Sequence, residues 1–116
     1  MTGYEPGDVA IVPFPFTDLG TTKRRPAVVL ARAAATALSP LVIVSMITSQ
    51  LQTGRLVGDC RLSAWKQAGL LHPSKVRLAK LVSLEEKMLI KKLGSLNDAD
   101  RSGVRRELRR VFSTWA

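Results

Sequence analysis

The run Leu41-Val42-Ile43-Val44-Ser45-Met46-Ile47 constrains the fold more than any other stretch. It is short, rich in β-branched residues and nearly all apolar. That combination predicts a central strand buried on both faces rather than a helix. A second segment, Pro26-Ala27-Val28-Val29-Leu30-Ala31, reads as another strand, entered from the cationic triplet Lys23, Arg24 and Arg25. Residues 8–13 form a third short β-rich run ended by Pro13. The stretches 55–62 and 75–82 show partial alternation and read as further strands of uncertain register.

Between these runs lie connections. Residues 14–24 carry Pro15, Gly20 and three threonines and hold no apolar period, so they read as a loop. Residues 33–40 are a small-residue connection closed by Pro40. The second half of the chain reads helical. Ser83 and Glu86 fit a capping box. Leu84, Met88, Leu89 and Leu93 follow at helical spacing, and Gly94 stops the run. Asn97 offers a second N-cap, with Asp98 and Asp100 in the first turn where negative charge suits the macrodipole. Val104, Leu108, Val111, Phe112 and Trp115 then make one apolar stripe. Short strands with little room for crossovers, followed by helices, predict a mainly β chain: a small antiparallel barrel with a C-terminal helix.

The chain has 116 residues, a length that predicts one domain spanning 1–116. Eighteen Lys and Arg against nine Asp and Glu give a net charge of +9. Such an excess draws anionic partners, nucleic acid first among them, but says nothing about fold. Cys60 is the single cysteine and His72 the single histidine, so neither an intrachain disulfide nor a thiolate zinc site is available. No apolar run approaches the roughly 20 residues of a membrane helix, and a reducing cytoplasm is the expected setting.

Candidate chemistry gathers at two strand ends. Arg25 precedes Pro26, which biases it to extended backbone and fixes where its side chain leaves the strand. Its ordinary use would be an ion pair with Asp8 or Asp18; its functional use would be to meet a phosphate. Thr48 and Ser49 sit where the apolar strand ends. Hydroxyls there often cap turns. Arg25 opens one strand and Thr48 closes the next, so antiparallel pairing would bring them together. His72 lacks the second histidine of a two-histidine ribonuclease and reads as structural or solvated. Cys60 reads as a small apolar filler. No phosphate-binding glycine motif supports a nucleotide cofactor. The last helix carries Arg101, Arg105, Arg106, Arg109 and Arg110, a solvated face first and a phosphate-contacting face second.

Taken together, "PGDVAIVPFPFTD", "RRPAVVLA", "LVIVSMITSQLQ" and "AGLLHPSKVRLAKLVSLEEKMLIKKLGSL" resemble the MazF/PemK family of type II toxin–antitoxin toxins, in the family's order and at its spacing. The resemblance implies an SH3-like small antiparallel barrel with a C-terminal helix, acting as a homodimer. It implies an endoribonuclease that cuts single-stranded RNA at short sequences without a metal or other cofactor. It also implies a cognate antitoxin whose flexible tail blocks the site. The arginine of the family's "RP" motif and the threonine of its "TS" motif fall on Arg25 and Thr48 as the catalytic pair. Phe16, Thr17, Lys23, Arg24, Ser49 and Gln50 are the candidate RNA contacts, with residues 14–24 as a gating loop. Where many members carry Glu and Gln in that loop, this chain has Thr21, Thr22 and Lys23. Two other classes compete: a gyrase-binding toxin of the same fold, acting through the C-terminal helix near Trp115, and a barrel that binds RNA without cutting it.

Overall fold

The computed structural model describes residues 3–15, 22–33, 40–52, 54 and 56–115. Six strands and one helix make up the described chain: β1 (Asp8–Pro15), β2 (Thr22–Ala33), β3 (Leu41–Thr48), β4 (Asp59–Arg61), β5 (Lys75–Glu85), β6 (Lys91–Ser95) and α1 (Asp98–Val111). All pairings are antiparallel, and the strand order is β4-β5-β3-β2-β1-β6. The sheet therefore has two edges, β4 and β6, and does not close on itself. It is the mainly β fold with a C-terminal helix that the sequence predicts, built as a curved open sheet. Irregularities in three ladders, at Val9/Ala10, Val29/Ala31 and Ser45/Met46, supply local bending.

Two apolar clusters lie on opposite faces of the sheet. On one face Val9, Val28, Ile47, Val76 and Leu78 pack beneath Leu62, Ala68, Leu70, Leu96 and Val104 of α1. On the other, Ala10, Val12, Ala27, Val29, Val42 and Val44 are covered by Leu89, with Tyr4, Met46, Val82 and Leu84 against them. Alternation along each strand feeds both clusters, because successive side chains point to opposite faces.

β3 is an interior strand as expected, but it is not buried on both faces throughout. Leu41 and Ile43 are exposed, while Val42, Val44 and Ile47 are fully buried. The reason is the position of α1, which packs against β4 and β5 and leaves the start of β3 uncovered. Ser45, the polar residue of the run, is buried, and its hydroxyl donates to the Arg77 carbonyl at 2.6 Å beside the ladder irregularity. That bond offsets the cost of burying a hydroxyl.

The helix expected after Ser83 does not form. β5 continues to Glu85, a 3-10 turn spans Glu86–Met88, and β6 follows. Glu86 does not fold back on Ser83. Its Oε2 accepts the Tyr4 N–H at 2.9 Å and the Arg32 Nε–H at 2.8 Å. Pairing of Leu84 with Val42, and of Gly94 with Val9, gives this segment ladder bonds to distant strands in place of local helical ones. Leu84, Leu89 and Leu93 are used on the two sheet faces, and Met88 is exposed.

The second helix forms as expected. Asn97 caps it, its side chain accepting the Asp100 N–H at 2.8 Å, with Asp98 and Asp100 in the first turn. Asp100 does more than suit the macrodipole. Its carboxylate accepts from Ser63 N–H, Ser63 O–H and Ala64 N–H at 2.8–2.9 Å, pinning the 63–64 backbone to the helix. The apolar stripe is buried at Val104 and fades outward; Phe112 and Trp115 are exposed, Trp115 at 87%.

Candidate active site and nucleic-acid interface

The two residues that the sequence marks line one cavity, although β2 starts at Thr22, so Arg25 lies inside the strand rather than opening it. β2 and β3 pair with Ala27 opposite Met46. The ladder ends at that pair; two residues further along each strand lie Arg25, which pairs with Val12 of β1, and Thr48, the last residue of β3. Both line one cavity of about 460 Å³, walled on its apolar side by Ile11, Pro26, Ile47, Leu70 and Leu93. Arg25 is exposed there and Thr48 half-buried. Thr48 Oγ1 accepts the Gln50 N–H at 3.1 Å, which fixes the hydroxyl oxygen at the strand end. The hydroxyl still carries its own proton for donation.

Of the two carboxylates expected as ion-pair partners for Arg25, Asp8 is engaged at the other end of β1. It takes Lys92 Nζ at 3.3 Å and the Glu5 N–H at 2.9 Å. Asp18 lies outside the described residues. Ser49 and Gln50 line the same cavity and are exposed. Lys23 and Arg24 are exposed further up β2, opposite Phe14 and Pro13, away from the cavity wall. Phe16, Thr17 and Thr21 lie outside the described residues, as does most of the expected gating loop.

The structure adds His72, which no local pattern places here. It lines the cavity holding Arg25 and Thr48, and also the neighbouring one along residues 49–52. The signal is indirect: β5 begins at Lys75, directly opposite Thr48, so residues just before β5 emerge beside the end of β3. Gly69 contributes to the same wall. Its φ is +84°, a conformation that favours glycine, and an added Cβ would meet the Leu93 backbone. Glycine thus lets the 62–74 segment press onto β6 and shape the cavity.

A buried ionic cluster lies one strand over. Asp59 Oδ2 sits 3.0 Å from Lys75 Nζ and 3.6 Å from Arg77 Nη2, with Asp59 and Lys75 side chains about 5% and 4% exposed. The same oxygen accepts the Leu56 N–H at 3.1 Å. Burial among these groups is tolerated because the charges are paired. Cys60 is buried against Gly103, and burial pushes its thiol pKa up, which suits the filler role expected of it. Among the described residues no three His, Cys, Asp or Glu side chains gather to hold a metal ion. No helix among them is long and apolar enough to cross a membrane.

The described chain is thus a small open antiparallel sheet with a C-terminal helix, strongly basic, with an arginine and a threonine on one cleft. The chain belongs to the family described as PemK-like, MazF-like toxin of type II toxin-antitoxin system, whose model matches residues 5–112. Solved structures share the fold at low identity. The Mycobacterium tuberculosis toxin MazF-mt6 is 20% identical over 90% of this chain and 96% of its own, with a TM-score of 0.65. An endoribonuclease from a mycobacterial species is 15% identical over 97% of this chain and 94% of its own, with a TM-score of 0.67. MazF in a MazE–MazF structure from Deinococcus radiodurans is 20% identical over 97% of both chains, with a TM-score of 0.65. Among curated proteins none matches the sequence significantly.

Proposed function

We propose that this toxin-family chain is an endoribonuclease that cuts single-stranded RNA at a phosphodiester held between Arg25 and Thr48. The observation that carries this reading is their meeting on one cavity. Family membership and the net charge of +9 support it. So does the similarity of fold to a protein named as an endoribonuclease.

RNA supplies its own nucleophile. The 2′-hydroxyl oxygen forms a bond to the adjacent phosphorus while the bond from phosphorus to the 5′-oxygen breaks. The products are a 2′,3′-cyclic phosphate and a 5′-hydroxyl. One proton leaves the 2′-hydroxyl and one reaches the departing oxygen. Charge builds on the non-bridging oxygens between these events. The planar fork of Arg25 binds two such oxygens at once, and the Thr48 hydroxyl donates to one of them. A guanidinium holds its protons too tightly to be a ready base. Histidine is the side chain most used for such transfers, and His72 opens on the same cavity.

We take the toxin to act as a homodimer in the cytoplasm and to be held inactive by an antitoxin tail, in keeping with the MazE–MazF pairing of one structural relative. A second reading has one observation behind it. Trp115 and Phe112 are exposed at the end of the C-terminal helix, which suits a toxin that binds a protein target such as gyrase.

One experiment separates these. Purified protein is incubated with a defined long RNA in EDTA and the fragment ends are mapped. Cuts leaving 5′-hydroxyl ends are expected. Removing the Thr48 hydroxyl by Thr48→Ala should lower the rate by about 10²–10³, as loss of one charge-stabilising donor does. Arg25→Ala should cut as poorly while still binding RNA. Full cleavage by both variants would overturn the assignment. Intact but retarded RNA would favour a non-cutting binder, and neither cutting nor retardation would favour the gyrase reading.

A further inference from the structure

Two more cavities continue from the first, and their walls are shared. Ser49, Gln50 and His72 line the first and second; Leu51 and Gln52 line the second and third. The third, about 580 Å³, is bounded by Arg61 and Arg106 together with Asp59, Lys75 and Glu107. Sheet register gives the same path. Thr48 is opposite Lys75 across β3 and β5, and Arg61 is opposite the same Lys75 across β5 and β4. Thr48 and Arg61 thus lie in one row, two strand spacings apart, about 10 Å. Paired residues of antiparallel strands project from the same face, so the row reads Thr48, Lys75, Arg61 on one side of the sheet, while α1 with Arg106 packs on the other side against Cys60, and the third cavity takes in both at the β4 edge.

The charges around the third cavity are not equivalent. Asp59 is committed to Lys75 and Arg77 within the sheet. Glu107, with its side chain 5% exposed, lies 3.3 Å from Arg106 and 3.5 Å from Arg110. Both acids are buried, whereas Arg61 is exposed and the Arg106 side chain is 66% exposed. The carboxylates sit in the wall and the guanidiniums at the rim. A rim of this kind meets an anion that arrives from solvent, and arginine forks match phosphate oxygens.

We propose that RNA flanking the cut runs from the Arg25–Thr48 cavity along residues 49–52 to the third cavity, where Arg61 and Arg106 hold a flanking phosphate. The inference rests on the endoribonuclease reading and adds a binding station to it. Arg61 and Arg106 are binding residues for the flanking strand and play no part in the bond breaking. A strand bridging the two stations engages both only when it is long enough to span the row. A short RNA centred on the cut reaches the first station alone.

The test uses three RNAs: a minimal one around the mapped cut, one lengthened on its 5′ side and one on its 3′ side. For the wild-type protein, lengthening on one side should lower KM several-fold with kcat little changed. In the double variant Arg61→Ala, Arg106→Ala that gain should vanish, the loss falling in KM for the longer RNA. The slope of log affinity against log salt should shrink by about 0.7 for each phosphate that the variant no longer neutralises. The double variant Arg61→Lys, Arg106→Lys keeps the charge and should keep most of the gain. Thermal melts of each variant establish that the fold is retained. A double alanine variant that keeps the full length gain and salt slope overturns the proposal, as does equal weakening on the minimal RNA. If the wild-type protein cuts none of the three, the endoribonuclease reading itself fails and the station with it. If polyglutamate inhibits the wild type but not the double alanine variant, while the length gain is unchanged, the face serves an acidic peptide and the RNA assignment is wrong.

Discussion

Single residues carry more than one duty here, and Glu86 shows how. Its carboxylate accepts from Arg32 on β2 and from the Tyr4 backbone, joining the N-terminal segment to the turn between β5 and β6. The hydrogen bond from Arg32 holds its pKa below the usual carboxylate value, with the Tyr4 N–H adding to it and partial burial opposing. The sign follows from linkage. A carboxylate with a lowered folded-state pKa stabilises the fold above its unfolded value and loses that contribution as pH falls through the folded one. Glu86→Gln should therefore be less stable than wild type at neutral pH. The difference should shrink as pH drops below the ordinary carboxylate value of 4.5. Urea denaturation from pH 7 down to the acid range checks this; a gap that does not change with pH would contradict it. Arg25 and Thr48 are legible in the sequence because Pro26 and the end of the apolar run mark their places. His72 is not, since its neighbourhood depends on where β5 starts rather than on any residue near it.

Among the elements, β4 is only three residues long, yet it holds a charged centre. Asp59 pairs with Lys75 and Arg77 of β5, all three side chains being about nine-tenths buried or more. Deleting the carboxylate leaves buried cations short of their counter-charge, which typically costs about 3–5 kcal/mol. Asp59→Ala should lower unfolding free energy by that order in a denaturant titration. A loss no larger than that of a surface ion pair would show the cluster to be solvated. Because Lys75 also faces Thr48, the same variant should disturb cleavage through the position of the strand end. The segment from Ser83 to Gly94 raises a different question about elements. Its leucines recur at a spacing that fits a helix face, yet the same leucines serve two strands joined by a 3-10 turn. Local periodicity cannot see the edge of β1 or the flank of β3, and their open ladder positions are what decide between the two structures.

For the whole molecule, charge and openness work together. A net charge of +9 on 116 residues sets a field that attracts polyanions. RNA affinity, measured by anisotropy with the Thr48→Ala variant to prevent cutting, should fall steadily as salt rises, because bound phosphates release counterions. Affinity independent of salt would mean that the basic surface is not the RNA-binding face. The sheet itself stays open at β4 and β6, and one edge, β4, borders the third cavity. A closed barrel would have no such rim. Openness is therefore what leaves the β4 edge free to border a cavity.

Local chemistry is enough to dictate the apolar strand 41–47, the strand through Ala27–Ala31, the Asn97 cap with its helix, the basic charge, and the strand end that bears Thr48, whereas the start of β2 at Thr22 rests on its pairing with β1. Each follows from side-chain shape, capping geometry, the rigidity of proline, or a simple count of charges. Long-range packing settles the rest: Leu41 and Ile43 emerge from the core, the Ser83–Gly94 stretch becomes two strand segments joined by a 3-10 turn, His72 joins the cleft, and Thr48, Lys75 and Arg61 share one row. Those outcomes depend on register and on where α1 lies. Both are set by pairing between residues far apart in the chain, which no window of neighbouring residues contains.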